Sequence, residues 1–310
     1  MTPGSSRPVI SRVEVVMPVH DEEHHLGAAL DALGVAAQTL AQHRPGMAVG
    51  ITVVLDHCTD RSAEIAARFA RFARSYAGAG AGSSAGVRVL HRRFRNAGAS
   101  RAAGVAAALG AVSSDGVESA ELLESPGRLE STGHVESTGL LESTGLLEST
   151  GLVESPELRE GTGLLESTWL ANTDADSRVP GDWLVRQLEF ADAGWDVVLG
   201  SVEPDSTGMD PELLLGWRLR HPLEERHGNI YGANLGVRAS AYRRAGGFPP
   251  LRSSEDRALV EQLRRRGFAV IATDSTRVLT SGRTAARAPH GFGAYLRALS
   301  VEAAAALRSS

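Results

Sequence analysis

Thr173-Asp174-Ala175-Asp176 follows the apolar Trp169-Leu170-Ala171. Side chains alternate along a strand with period two, so carboxylates one residue apart at its end point the same way. Such a pair suits one hard divalent cation, Mg²⁺ or Mn²⁺, commonly held by one or two carboxylates together with substrate phosphates. An Asp-x-Asp is also common in plain turns, so its meaning depends on its companions. These are His20-Asp21-Glu22-Glu23, Asp56, Asn96 and the acidic pair Glu255-Asp256. Each has an ordinary reading when taken alone. Ser254-Glu255-Asp256 reads as a helix N-cap with first-turn acids that favour the helix dipole. Asp56 and Asp60 read as turn and cap residues, and the glycines at 232, 246 and 247 as turn chemistry. The adjacent His24 and His25 diverge on a helix and read as surface residues. Cys58 has no evident activating base.

The elements that must position these residues are short and regular. Strands are expected at 13–17, ended by Pro18, at 51–55, at 87–90 and at 169–171; helices at 26–41, 62–76 and from Ala99. Alternating short apolar strands and helices predict a mostly parallel sheet covered on both faces. In such sheets ligands bind beyond the carboxyl ends of the strands, which is where the acidic groups fall. A dinucleotide fold needs G-x-G-x-x-G after the first strand. Here that turn is Pro18-Val19-His20-Asp21-Glu22-Glu23, and a Walker loop is excluded because the chain contains no Lys.

The chain has 310 residues, enough for a substantial core, with no apolar run of the roughly 18–20 residues that would span a bilayer. Met1 and the residues up to Arg12 lack a signal-peptide pattern, and a single Cys fits a reducing cytosol. The net charge of −5 conceals an uneven distribution: residues 114–168 hold 12 acidic and 2 basic side chains, the remainder 30 basic and 25 acidic. A mildly basic body fits an anionic small molecule and lacks the concentrated basic face of a nucleic-acid binder. Residues 122–169 run in near-identical hexads of the type LLESTG. Their Ser, Thr, Gly and Glu content predicts a solvated, disordered insertion over 114–168 rather than a β-solenoid. The Ala/Leu-rich stretch 293–308 predicts a C-terminal helix that packs on the core, leaving peripheral membrane contact open. Trp217 and Leu219 read as core or lid packing.

Six segments in order, VVMPVHDEE, VVLDHCTDRSAEIA, RNAGASRAAGV, WLANTDADSRVPGDWL, GANLGVRASAYRRAGGF and SSEDRALVEQLRRRGF, together resemble the family 2 glycosyltransferases. The resemblance covers nearly the whole chain apart from the hexads and both tails. It implies a GT-A fold, a Rossmann-like mixed, mostly parallel sheet in a single domain over 10–290. A nucleotide-binding part would span about 10–200, an acceptor-side part 201–290, and a tail 291–310. It implies an inverting transferase that moves a sugar from an NDP-sugar to an acceptor hydroxyl, with Mn²⁺ or Mg²⁺. By the same resemblance Asp176 ligates the metal beside Asp174, which faces the ribose, and Pro18, His20 and Glu22 wall the nucleotide. Asp56 accepts from the base, Asp60 supports that loop, and Arg101 lies near the nucleotide or diphosphate. Asp256 is the catalytic base within the pair Glu255-Asp256. Gly232, Asn234 and Gly247 frame donor sugar and acceptor, and Arg283 reaches the diphosphate from a closing C-terminal loop. The late His that many relatives use as a further metal ligand is replaced by Val278-Leu279-Thr280-Ser281-Gly282-Arg283, with His290 at the wrong spacing. A nucleotidyltransferase and a non-catalytic sugar-nucleotide-binding scaffold are the competing readings. The acidic first turn opposes the former, and the intact carboxylates the latter.

Overall fold

The structure, a computed structural model, describes residues 8–76, 86–113, 163–207, 209–284, 293–299 and 301. Strand β1 (Arg12–Val19) places Val13, Val15, Met17 and Val19 in one core and Val16 in the opposite one, as period-two alternation requires. It pairs in parallel with β2 (Ala48–Asp56) and β4 (Thr168–Asn172), and β3 (Gly86–Arg92) adds in parallel to β2. Beyond Asn172 the chain leaves the sheet for β5 (Ser177–Arg178). β6 (Val197–Pro204), β7 (Leu235–Arg238) and β8 (Val270–Thr280) complete an eight-stranded sheet of order β3-β2-β1-β4-β7-β6-β8-β5. β7 runs antiparallel to β4 and β6, and β5 antiparallel to β8, so the sheet is mixed as expected.

Helices α1 (Leu26–His43), α2 (Ser62–Tyr76) and α4 (Trp183–Asp192) contribute to the core on one face. Helices α3 (Ala97–Ser113), α6 (Ala239–Arg244) and α7 (Glu255–Arg265) contribute to that on the other. Each fully buried Leu, Val or Met in these layers stabilises the fold by about 1.5–3 kcal/mol. The expected bounds of α2 match those observed. Pro18 does not end β1: it pairs with Val54 of β2, while the β4 partner stops opposite Val16, so its missing N–H deprives no β4 residue. α3 begins two residues earlier than expected, at Ala97, and Gly104 lets it lie close on β1, since a Cβ there would sit 2.5 Å from Val16 Cγ1.

Most of the expected insertion, 114–162, lies outside the described residues, as does His290. Its end, 163–168, is knit into the fold. Residues 163–166 form a helical turn, and Ser167 O accepts from Ser11 N at 2.9 Å. Helix α5 (Pro211–Arg220) and the helical residues 293–299 bury Leu213, Trp217, Leu296 and Leu299 together. Trp217 is therefore core, whereas Leu219 is 77% exposed. Among the described residues no helix is long and apolar enough to cross a membrane.

Candidate active site

The parallel strands deliver the first turn, the β2 loop, the β3–α3 loop and the Asp-x-Asp turn to one end of the sheet. Pro18 is half-buried within β1, and His20 just beyond it is exposed, with Nδ1 2.7 Å from Asp56 O. Asp21, at φ 52°, accepts from Thr59 N at 2.6 Å, a bond that holds its carboxyl below the usual range. Asp60 Oδ1 caps α2 through Ser62 N, and Oδ2 accepts from Glu23 N, each at 2.9 Å. It thus ties the first turn to the β2 loop.

Asp56 is 4% exposed and saturated. Oδ1 accepts from Phe94 N and Arg95 N, at 2.7 and 2.9 Å, and Oδ2 from Asn96 N and Ser100 Oγ, at 3.0 and 2.8 Å. Those four donors fill the four acceptor positions of a carboxylate. Here Asp56 clamps the β3–α3 loop and has no acceptor left for a nucleobase, unlike the role that the resemblance implied.

Asp176 sits where β5 and β8 meet. Ser177 pairs with Thr280, and Ser281 N donates to Asp176 O at 3.0 Å, which carries Arg283 over the Asp-x-Asp turn. Arg283 Nη2 lies 3.0 Å from Asp176 Oδ2, and its fork engages both oxygens of the buried Glu22, Nη1 donating to Oε2 at 2.7 Å. His25 joins this cluster while keeping about a third of its side chain at the surface, as its reading as a surface residue expected. Its Nδ1 lies 3.2 Å from Glu22 Oε2 and its Nε2 3.4 Å from Ser281 Oγ. The i, i+3 spacing from Glu22 across the start of α1 was the available signal. Burial, together with Asp174 and Glu22, pushes the Asp176 carboxyl up to about 6 against the opposing pull of Arg283 and Thr280. A carboxylate cluster that already gathers round a guanidinium is chemically suited to a hard divalent cation, so Asp176 and Asp174 fit the expected metal.

A second cluster stands beside the first. Arg101, 3% exposed in the first turns of α3, bonds Asp174 through Nη2 and donates from Nε to Glu255 Oε1 at 3.1 Å. Burial works against the guanidinium's charge, but Asp174, Glu255 and Asp256 outweigh it and raise its pKa. Burial raises the pKa of Glu255, with Arg101 opposing. The start of α7 is brought there by two contacts with α3 and its approach: Asn96 Nδ2 donates to Pro250 O at 3.0 Å and Gly98 N to Leu251 O at 3.1 Å. Ser254 before the acid pair adopts φ 62°, a left-handed conformation that a non-glycine residue holds at some cost. Asp256 follows with its side chain half-buried and Oδ1 2.7 Å from Arg257 N.

The glycine motifs divide. Gly232 abuts Arg101, where a Cβ would lie 2.6 Å from Nη2. Asn234 is not a lining residue. It is fully buried, its Nδ2 donating to Ser201 O and Thr276 O at 2.8 and 2.7 Å and its Oδ1 accepting from Trp183 Nε1 at 2.9 Å. Gly246 and Gly247, at φ 90° and 73°, turn the chain after α6 and direct Phe248 beneath Arg101, 5.9 Å from ring centroid to guanidinium carbon. Ser100, which donates to Asp56, is a contributor that sequence reasoning missed. A cleft of about 370 Å³ lies beside the β2 and β3 ends, between His57–Thr59 and His91–Arg93, and not at Asp176, where the two arginines stand between the carboxylates. Cys58 lines that cleft, its thiol pushed up by burial, in keeping with an unactivated cysteine.

No protein-family model and no curated protein sequence match the chain. Among solved structures it is similar to TarS 1–349 of S. aureus in complex with UDP-GlcNAc: TM-score 0.51, 13% identity, 91% of this chain and 61% of that one. It is likewise similar to the mannosyltransferase PcManGT from Pyrobaculum calidifontis in complex with GDP-Man and Mn²⁺: TM-score 0.52, 14% identity, 95% of this chain and 63% of that one. The chain thus spans about six-tenths of the length of these proteins. Its eight-stranded, mixed and mostly parallel sheet with helices on both faces has the GT-A, Rossmann-like architecture.

Proposed function

We propose that the protein is an inverting glycosyltransferase that moves a sugar from an NDP-sugar to an acceptor hydroxyl, with a divalent cation and Asp256 as general base. The observation that carries this reading is the meeting of Glu22, Asp174, Asp176 and Glu255-Asp256 with Arg101 and Arg283 at one end of the sheet. The solved structures of similar fold are described with UDP- and GDP-sugars, one of them with Mn²⁺, which supports the same chemistry here.

Asp176 and Asp174 would hold the cation, which when bound would neutralise the leaving diphosphate. Arg283 would give up its hold on Asp176 and offer its guanidinium fork to the phosphate oxygens. Asp256 would accept the acceptor's proton as the hydroxyl attacks opposite the diphosphate, a contribution of about 10²–10⁴ in rate. Displacement from that side inverts the anomeric centre. Pro18, His20 and the loop clamped by Asp56 would wall the nucleotide, with the acceptor side formed by residues from about 201 onward.

The test is calorimetric titration of the purified chain with UDP, GDP and TDP, with and without Mn²⁺, beside Asp176→Asn. Metal-dependent binding of one nucleotide, weakened at least about tenfold in the variant, is expected. Absence of binding to every nucleotide under both conditions would reject the transferase reading.

A further inference from the structure

Arg101 meets carboxylates that arrive from distant parts of the chain, Asp174 after β4 and Glu255 at the start of α7. The fold makes room for it: Gly232 offers no Cβ, and Phe248 lies under the guanidinium. At 3% exposure, with Nη1 buried and lacking a hydrogen-bond partner, it is sealed from solvent. A guanidinium so enclosed acts as a strut more readily than as a substrate ligand. Its planar fork can hold two carboxylates in different directions, which the point charge of a lysine cannot do equally well. Of the acid pair, Glu255 is turned inward to Arg101 and Asp256 retains solvent contact.

We infer that Arg101 is a positioning residue whose buried guanidinium ties the Asp174 turn to the start of α7, engages Glu255 as its charge partner, and leaves Asp256 to face an acceptor hydroxyl. This rests on the transferase reading and departs from the direct nucleotide or diphosphate contact that the resemblance implied for Arg101.

The experiment is a cycle of Arg101→Met, Glu255→Gln and the double variant in the full chain, with Arg101→Lys alongside. Thermal unfolding and calorimetric titration of UDP and GDP with Mn²⁺ are measured on each. Arg101→Met strands the buried Glu255 and should lower Tm by about 10 °C. Adding Glu255→Gln should recover more than half of that loss, because an amide needs no counter-ion. Mn²⁺-dependent nucleotide affinity should fall about 10-fold or more in Arg101→Met and stay low in the double variant, where Asp174 still lacks its anchor. Arg101→Lys should recover stability in part and nucleotide affinity less.

A double variant that regains stability and binds nucleotide like the parent makes Arg101 a counter-ion only and overturns the inference. So does a double variant no more stable than Arg101→Met, which would deny the link to Glu255. A parent protein that binds neither nucleotide overturns the transferase reading together with this one. If the parent binds and only the variants break the pattern, the assignment of Arg101 falls alone.

Discussion

Asp56 ends β2 and Asp176 lies beyond the end of β4, both in the parallel half of the sheet, yet their surroundings give them opposite properties. Asp56 is held by four donors, while the side-chain hydroxyls of Ser177 and Thr280 approach Asp176 only to 3.4 Å. Burial comes first in lifting Asp176 to about 6, from 3.8 in the unfolded chain. The folded state therefore holds this proton more tightly, so its contribution to stability is full below pH ~4 and is lost as pH rises through ~6. A shift of about two units corresponds to about 3 kcal/mol of destabilisation above that range. Asp176→Asn should accordingly raise the Tm of metal-free protein by a few degrees at pH 8, and the gain should vanish towards pH 4. Mn²⁺ should stabilise the parent and not the variant. A variant less stable than the parent at pH 8 would show that the pairing with Arg283 outweighs burial. The carboxylates themselves were legible from type and spacing. Their partners were not: nothing near Asp56 in sequence marks Phe94–Asn96 as its donors.

At the scale of elements, α3 carries both the clamp on Asp56 through Ser100 and the strut at Arg101, so its placement matters more than its helicity. Gly98 decides that placement. A Cβ there would lie 2.1 Å from Pro249 O and 2.9 Å from Leu251 O, backbone atoms of the segment leading into α7. Helix propensity alone would favour Ala over Gly by about 1 kcal/mol. Gly98→Ala should nevertheless destabilise the protein by about 2 kcal/mol or more, through overpacking. Gly27→Ala in α1, where nothing lies within 4 Å of the added carbon, should stabilise it by up to about 1 kcal/mol. Chemical denaturation of both variants checks the pair, and equal signs would refute the argument. Sequence periodicity located the helix; only the approach of a second element shows why position 98 must be glycine. Asn234 teaches the converse. Its motif looked like a site lining, but the bond network of β6, β8 and Trp183 claims its amide.

For the whole molecule, the parallel half was readable because alternating strands and helices leave few ways to connect a sheet. Gly163 to Ser167 show where the hexad segment ends and the fold resumes. Ser167 O receives Ser11 N and Arg12 N, Leu164 O receives Thr168 Oγ1 at 2.7 Å, and Glu166 O is bonded by Arg238. Replacing residues 116–162 by a short Gly/Ser linker should leave the fold intact and change stability by about 1–2 kcal/mol at most, since loop-closure entropy varies slowly with length. Extending the replacement through Ser167 removes the helical turn that places those carbonyls and the buried Leu165, and should cost several kcal/mol by denaturant titration. Equal stability of the two deletions would place the boundary elsewhere. The sequence by itself determined the α/β class, the parallel strands and the acidic groups at their carboxyl ends, because these follow from local periodicity and from the direction that a strand imposes. Only the tertiary structure decided which charges meet. The antiparallel pairing of β5 with β8 brings Arg283 to Asp176 and Glu22, and the docking of α7 on α3 brings Glu255 to Arg101. The Glu255–Arg101 and Arg283–Glu22 contacts join residues 154 and 261 positions apart in the chain, and their geometry is set by packing that no local pattern encodes.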